Sequence, residues 1–169
     1  MTDMLVKLYN LPPVETLIAE FDANGIMIRR ALAPEKHHVA HWAGEKFSAF
    51  WQSEVEVAIS RTPPTCWIAI ANEELMGFSC YDTTGKGFLG PIGVAESGRG
   101  KGVGKVLLLA CLHAMRWDGY GYAIIGGVGP IEFYQKTVGA TVIDDSTPGV
   151  YRGLLRVKQL ASDLDRSQS

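Results

Sequence analysis

The sequence predicts an α+β domain built on one mixed, mostly antiparallel central sheet with helices on both faces. Three observations predict it. Strand-like apolar runs come consecutively through the middle of the chain and then alternate with helical segments, which suits a mixed sheet and not an all-parallel, doubly wound one. The 169 residues suit one domain with a single core. Val103–Trp117 carries a helical apolar stripe broad enough to cover a sheet face.

Taken in order, residues 4–9, MLVKLY, alternate enough for a short strand. Pro12 and Pro13 interrupt, and VETLIAEFD reads as a brief amphipathic helix ending near Asn24-Gly25. GIMIRRAL reads as a second strand. Ala33-Pro34 marks a helix start with proline in the first turn. The helical pattern then runs to about Ser60, with a break expected near Gly44. Phe47, Phe50, Trp51, Val55 and Ala58 make the inner face of the second of these two helices. Pro63-Pro64 stops it. CWIAIA and LMGFSCYD form a hairpin through Asn72-Glu73-Glu74. GFLGPIGV is strand-like, but its proline and glycines suggest a bulge or an interrupted edge. In the long helix, positions 103, 106, 107, 110, 111, 114 and 115 share one apolar face, which Leu108, Leu109 and Leu112 widen. YAIIGGV is a buried strand, and Pro130 opens a short helix to about Val138. ATVID and GVYRGLL close as two more strands around Pro148-Gly149. Residues 1–25 then form an N-terminal extension of strand and helix, 26–160 the main domain, and 161–169 a polar tail expected to fray.

Composition bounds the function. Sixteen Lys and Arg against eighteen Asp and Glu leave a formal charge of −2, so no global attraction to nucleic acid or anionic membrane is expected, and any anion site must be local. No window reaches the roughly 18 consecutive apolar residues of a spanning helix. The stretch MTDMLVKLYNLPPVE lacks the apolar run of a signal peptide. Cys66, Cys80 and Cys111 are odd in number and lack metal or redox spacing. They read as buried free thiols in a reducing compartment, and the expected location is cytoplasmic.

The local anion site stands between Gly90 and Met115. A strand-like run feeds a helix through Gly98, Gly100, Gly102 and Gly104, interleaved with Arg99, Lys101 and Val103. The first turn of a helix offers unsatisfied N–H groups at the positive end of its dipole. Glycine lets an anion reach that backbone, with no Cβ in the way. Arg99, Lys101 and Lys105 add charge. Two phosphate loops are excluded by register. GxxxxGK[ST] fails because Gly104-Lys105 is followed by Val106 and Arg99 stands where the first glycine belongs. No register from Gly98 to Gly104 satisfies GxGxxG.

What fits is Arg99-x-x-Gly102-x-Gly104. It resembles [Q/R]-x-x-G-x-[G/A], the acyl-CoA-binding signature of the GNAT superfamily of N-acetyltransferases. GPIGV…RGKGVGKVLL resembles that family's fourth strand, pyrophosphate loop and third helix. IEFYQKTVGA resembles its segment in which an aromatic-Tyr pair precedes a basic residue and Gly-Phe, here Phe133-Tyr134, Lys136 and Gly139-Ala140. The resemblance runs from about Ile26 to Leu155. It implies an N-acetyltransferase domain that uses acetyl-CoA as co-substrate, with the sheet splayed beside a bulge in the fourth strand. The pantetheine arm would lie along Ile92, Gly93 and Val94. The pyrophosphate would sit on the amides of Arg99, Gly100, Lys101, Gly102, Val103 and Gly104, beside Lys105, and Pro130 and Phe133 would complete the coenzyme side. A backbone N–H near Val94 would meet the thioester carbonyl, and Tyr134 would be the general acid for the departing thiolate. The acceptor would be a primary amine of a small molecule or peptide. The spare strand MLVKLYNL would offer an edge for a homodimer.

The sequence also departs from the family pattern. Gly127 stands in place of an Asn and Pro130 in place of an Ala, and Gly139-Ala140 lacks the Phe. No Glu sits in the fourth strand, so the general base is unassigned, with Asp82 and Glu132 as weak candidates. A non-catalytic acyl-CoA-binding module is the alternative that keeps the same loop. A purely structural interaction domain leaves four glycines at a helix mouth unexplained, since glycine costs helix stability.

Other features read as ordinary structure. KHHVAH sets His37 and His41 one turn apart, with Glu45 a turn further on, but position 38 is His and not the Glu of HExxH, so a solvated face is read and no metal assigned. Trp42, Phe47, Phe50 and Trp51 recur at helical spacing, as core or as an aromatic wall for the acceptor. Cys111 lies inside an apolar helix face, as core and not as a nucleophile. Arg29-Arg30 is too small a patch for nucleic acid.

Overall fold

The structure is a computed structural model that describes residues 1–156. Its strands are β1 (Asp3–Lys7), β2 (Met27–Arg30), β3 (Cys66–Ala71), β4 (Glu74–Tyr81), β5 (Phe88–Val94), β6 (Tyr122–Ile125) and β7 (Thr141–Ile143). The helices are α1 (Glu15–Ala23), α2 (Lys36–Lys46), α3 (Ala49–Ile59), α4 (Val103–Trp117) and α5 (Ile131–Val138). All the strands join one sheet, in the order β2-β3-β4-β5-β6-β1-β7. Every neighbouring pair is antiparallel except β5–β6, which is parallel. This is the mixed, mostly antiparallel sheet the element order predicts.

Strand alternation divides the core in two. Cys66, Ile68, Phe78 and Cys80 face one side and pack under α2 and α3. Trp67, Ala69 and Tyr81 face the other, with α4. The α4 stripe is wholly buried from Val106 to Met115, and each large apolar side chain there contributes about 1.5–3 kcal/mol of burial. The β3–β4 turn is Asn72-Glu73, at φ 51° and 63°, the left-handed pair that a two-residue hairpin requires.

Several expectations need correction. The break between α2 and α3 falls at Phe47-Ser48, where the Ser48 hydroxyl accepts from the Trp51 amide at 3.3 Å and caps α3. Gly44 continues its helix, and its lack of a Cβ leaves room for the Gln52 side chain where the two helices cross. The first strand is not spare. β1 lies between β6 and β7, with Met4 and Val6 fully buried, so the outer strands are β2 and β7. GVYRGLL does not form a strand. It makes a short 3-10 turn at Gly149–Tyr151, with Gly149 at φ 56° and Gly153 at φ 75° breaking the extended run, and β1 already pairs with the inner edge of β7. The tail expected from Ala161 lies outside the described residues.

Candidate active site

The parallel pair β5–β6 has only two rungs, Phe88↔Ile124 and Leu89↔Ile125. Beyond Leu89 the strands part, and β5 continues on β4 alone. A bulge marks the parting: Gly90 and Pro91 together oppose Cys80, between the rungs Tyr81↔Leu89 and Ser79↔Ile92. The Ala95 amide donates to Met76 O at 2.8 Å. Antiparallel alternation then turns Gly93 toward β4 and leaves the N–H and C=O of Ile92 and Val94 facing the gap. Gly93 itself serves packing. A Cβ there would lie 2.5 Å from Phe47 Cε2 and 2.8 Å from Phe78 Cε1.

The glycine loop follows directly. After a 3-10 turn at Glu96–Gly98 the chain reaches Gly100 and Gly102 at φ 75° and 80°, where an L side chain is strained, and α4 starts at Val103. Gly98 is small for another reason: its Cβ would meet Val94 Cγ1 at 2.9 Å. Gly104 is helical and its Cβ would rest 3.6 Å from Val94 Cγ2, so Val94 lies beneath both ends of the loop. The amides from Gly100 to Lys105 make no well-formed backbone hydrogen bond among the described residues, although weaker turn bonds span Arg99–Gly102; the Arg99 amide, expected in the cradle, donates instead to Glu96 O at 3.2 Å. Arg99, Lys101 and Lys105 are exposed and join no ion pair among the described residues. Among the described residues, amides without a well-formed partner, three exposed and unpaired cations and a helix dipole make a cradle for a polyanion. Beside it runs a strand edge with unspent hydrogen-bonding groups. These are the contacts that the pyrophosphate and the amide-bearing arm of an acyl-CoA need, so the residues present fit that co-substrate.

Across the gap, β6 ends and the chain turns through Gly126–Pro130 into α5. Pro130 caps α5 and is exposed. Phe133 and Tyr134 pack edge to face at 5.1 Å, against the same core cluster as Ile92 and Val94. Burial raises the Tyr134 phenol above its ordinary value of 10.0, and its hydroxyl has no hydrogen-bond partner among the described residues. It therefore keeps its proton at neutral pH and is free to donate it.

The weak base candidates are otherwise engaged. Asp82 accepts from the Gly87 amide and the Tyr120 hydroxyl, both at 2.8 Å, and so fixes the β4–β5 loop. Glu132 pairs with Lys136 at 3.2 Å on the outer face of α5. His41 lies 3.3 Å from Glu45 on an exposed face of α2. Cys111 is fully buried, its thiol pushed up to about 12 by burial, so it carries no nucleophilic thiolate at neutral pH. Two surface hollows lie elsewhere: one of about 270 Å³ beside Lys7 and Gly139, another of about 550 Å³ beside Arg61 and Asp118.

Sequence reasoning missed two contributions. Phe21, from the segment read as an extension, reaches within 3.5 Å of the Cβ position of Gly102 and supports the loop. Glu54, Thr83, Thr84 and Tyr151 meet at the start of the gap. They come from α3, a loop and the C-terminal turn, and no local pattern links them.

Comparison with known proteins agrees with this architecture. The model of the acetyltransferase (GNAT) family matches residues 28–140. No curated protein matches the chain in sequence. Among solved structures, the GCN5-related glucosamine N-acetyltransferase region of a fungal multi-domain GH3 β-N-acetylglucosaminidase superposes with a TM-score of 0.68 at 14% identity, over 84% of this chain and 19% of that one. A GCN5-related N-acetyltransferase from Sphaerobacter thermophilus gives 0.62 at 19% identity, over 84% and 48%. A Drosophila protein gives 0.59 at 14% identity, over 84% and 47%. The chain thus spans less than half the length of these structures, and at such identities the likeness is one of fold. With its family model covering β3 to β6, the glycine loop and the helix beyond, this chain belongs to the GNAT family of acetyltransferases.

Proposed function

We propose that this protein transfers an acetyl group from acetyl-CoA to a primary amine of a small molecule or peptide, by direct attack on the thioester. The observation that carries the reading is the loop of amides without a well-formed partner at Gly100–Lys105, joined through Val94 to the unpaired edge of β5. Bound there, acetyl-CoA would supply the activated acyl group. The loop amides, with Arg99, Lys101 and Lys105, would hold the diphosphate. Ile92 and Val94 would pair with the amide-bearing arm, and the Val94 N–H would steady the carbonyl oxygen as charge develops on it.

The amine reaches the site mostly protonated, since an unperturbed ammonium titrates near 10. It loses one proton to solvent water before attack. The C–N bond then forms, the C–S bond breaks, and the nitrogen sheds its second proton. Tyr134 would give its phenolic proton to the departing sulfur and recover one from the nitrogen through solvent, leaving amide and free thiol. Three buried free thiols accord with a reducing, cytoplasmic setting.

The test is acetylation of an amine panel followed by mass spectrometry, with Tyr134→Phe in parallel. Acetylated product from the wild type and a slowed variant support the reading. Acetyl-CoA binding without any product points instead to a non-catalytic acyl-CoA module.

A further inference from the structure

We propose that Glu54 binds the acceptor, and that the acceptor is a primary amine on an apolar or aromatic body with no neighbouring carboxylate. The inference rests on the acetyl-transfer reading above and narrows its substrate class.

Glu54 is half-buried on α3. The Thr84 hydroxyl donates to its Oε1, and the Thr83 hydroxyl lies 3.4 Å from the same oxygen. Thr83 also donates to the Gly90 carbonyl at 2.9 Å. Gly90 is the first residue beyond the last β5–β6 rung. The carboxylate is therefore tied to the point where the gap opens. It reaches that point from the α2–α3 face, whereas the phosphate cradle heads α4 on the opposite face. A second substrate entering opposite the co-substrate meets Glu54 first, and its amine then moves along β5 to the carbonyl held at Val94.

The carboxylate has no cationic partner: no Lys, Arg or His pairs with it among the described residues. Its neighbour across the opening is a phenol, Tyr151. Tyr151 covers Gly126, where a Cβ would lie 2.6 Å from its hydroxyl. Burial raises the Tyr151 phenol, a hydrogen bond with Thr84 works against that, and Glu54 and Asp3 add smaller raising effects. A half-buried carboxylate is costly without a counter-charge, and an incoming ammonium supplies one.

The surroundings define the rest of the ligand. Phe50 and Trp51 stand four and three residues before Glu54, so both flank it on the helix surface. Phe50 is 48% exposed, an aromatic ring that the core does not use. Trp51 stacks on Phe47 at 4.8 Å, and Phe47 in turn closes on Gly93 of β5. Aromatic rings around a carboxylate suit a cation with an apolar body. An acceptor carrying its own carboxylate, such as a free α-amino acid, would face repulsion from Glu54.

The matched pair 2-phenylethylamine and L-phenylalanine differs only in that carboxylate. Steady-state kinetics on the full chain, read by release of free CoA thiol, should give 2-phenylethylamine at least about a tenfold advantage in kcat/KM. Glu54→Gln should raise its KM about tenfold and shrink the advantage, while the KM for acetyl-CoA stays put and the melting temperature does not fall, and Glu54→Asp should recover part of the loss. An unchanged acceptor KM in Glu54→Gln, a preference for phenylalanine, or acetylation of neither amine by a protein that binds acetyl-CoA overturns the proposal and leaves co-substrate binding intact. Failure to bind acetyl-CoA overturns the parent reading instead.

Discussion

Gly102 and Gly104 sit two residues apart, yet alanine should act on them with opposite signs. Gly102 holds φ 80°, and a Cβ there would touch only Phe21 Cζ at 3.5 Å, an ordinary contact. The cost is therefore conformational, about 1–2 kcal/mol for an L residue in the left-handed region. Gly104 lies inside α4, and its Cβ would meet Val94 Cγ2 at 3.6 Å, again without a clash. Alanine there should stabilise the helix by about 0.5–1 kcal/mol. A chain of this size shifts by about 2–4 °C per kcal/mol. Scanning calorimetry without ligand should then place Gly102→Ala about 2–8 °C below the wild type and Gly104→Ala about 1–4 °C above it. Gly104→Ala should still respond to acetyl-CoA, because its backbone amides are unaltered. Shifts of the same sign in the two variants would refute the assigned loop conformation.

Tyr134→Phe should lower kcat by about 100-fold or more while leaving the KM for acetyl-CoA nearly constant, as removal of a general acid does; stopped-flow thiol detection checks it. Gly93→Ala should destabilise by about 1–3 kcal/mol, because its Cβ would stand 2.5 Å from Phe47 Cε2 and force the aromatic cluster to move; urea midpoints measure this. Tyr81 is fully buried, and its hydroxyl donates to Asp118 at 2.7 Å and accepts from Arg30 at 3.1 Å. Desolvation, then Asp118, raises the phenol above 10.0. A raised phenol favours the protonated native state, so its contribution is whole below pH 10 and is lost as pH climbs through the folded value. Tyr81→Phe should therefore cost stability at pH 8 and flatten the decline between pH 10 and 12, as read from urea unfolding at each pH.

Much of the fold is legible in the sequence because the signals are local. The α4 stripe, the Asn72-Glu73 turn and the apolar run of β3 lie where periodicity puts them. The glycine loop is legible too, since a cradle of backbone amides needs consecutive residues. What the sequence hides is non-local. Nothing in MLVKLY says that β1 will insert between β6 and β7, a pairing that joins Leu5 to Ile124 and to Thr141. That insertion also takes the place beside the inner edge of β7 that Gly149–Leu155 could otherwise fill. Glycine misleads at Gly44, where it marks a helix crossing and not a helix end. The Glu54 cluster escapes detection because three segments far apart in the chain supply it.

The central claim is that the Gly100–Lys105 amides hold the diphosphate of acetyl-CoA, and calorimetric titration of acetyl-CoA into the wild type and Gly102→Val tests it most directly. The account predicts saturable one-to-one binding to the wild type, with the native state stabilised by about 2.7 kcal/mol at about 100 times Kd, and no saturable heat with the folded variant. An absence of binding to the wild type, or equal affinity in folded Gly102→Val, would contradict it.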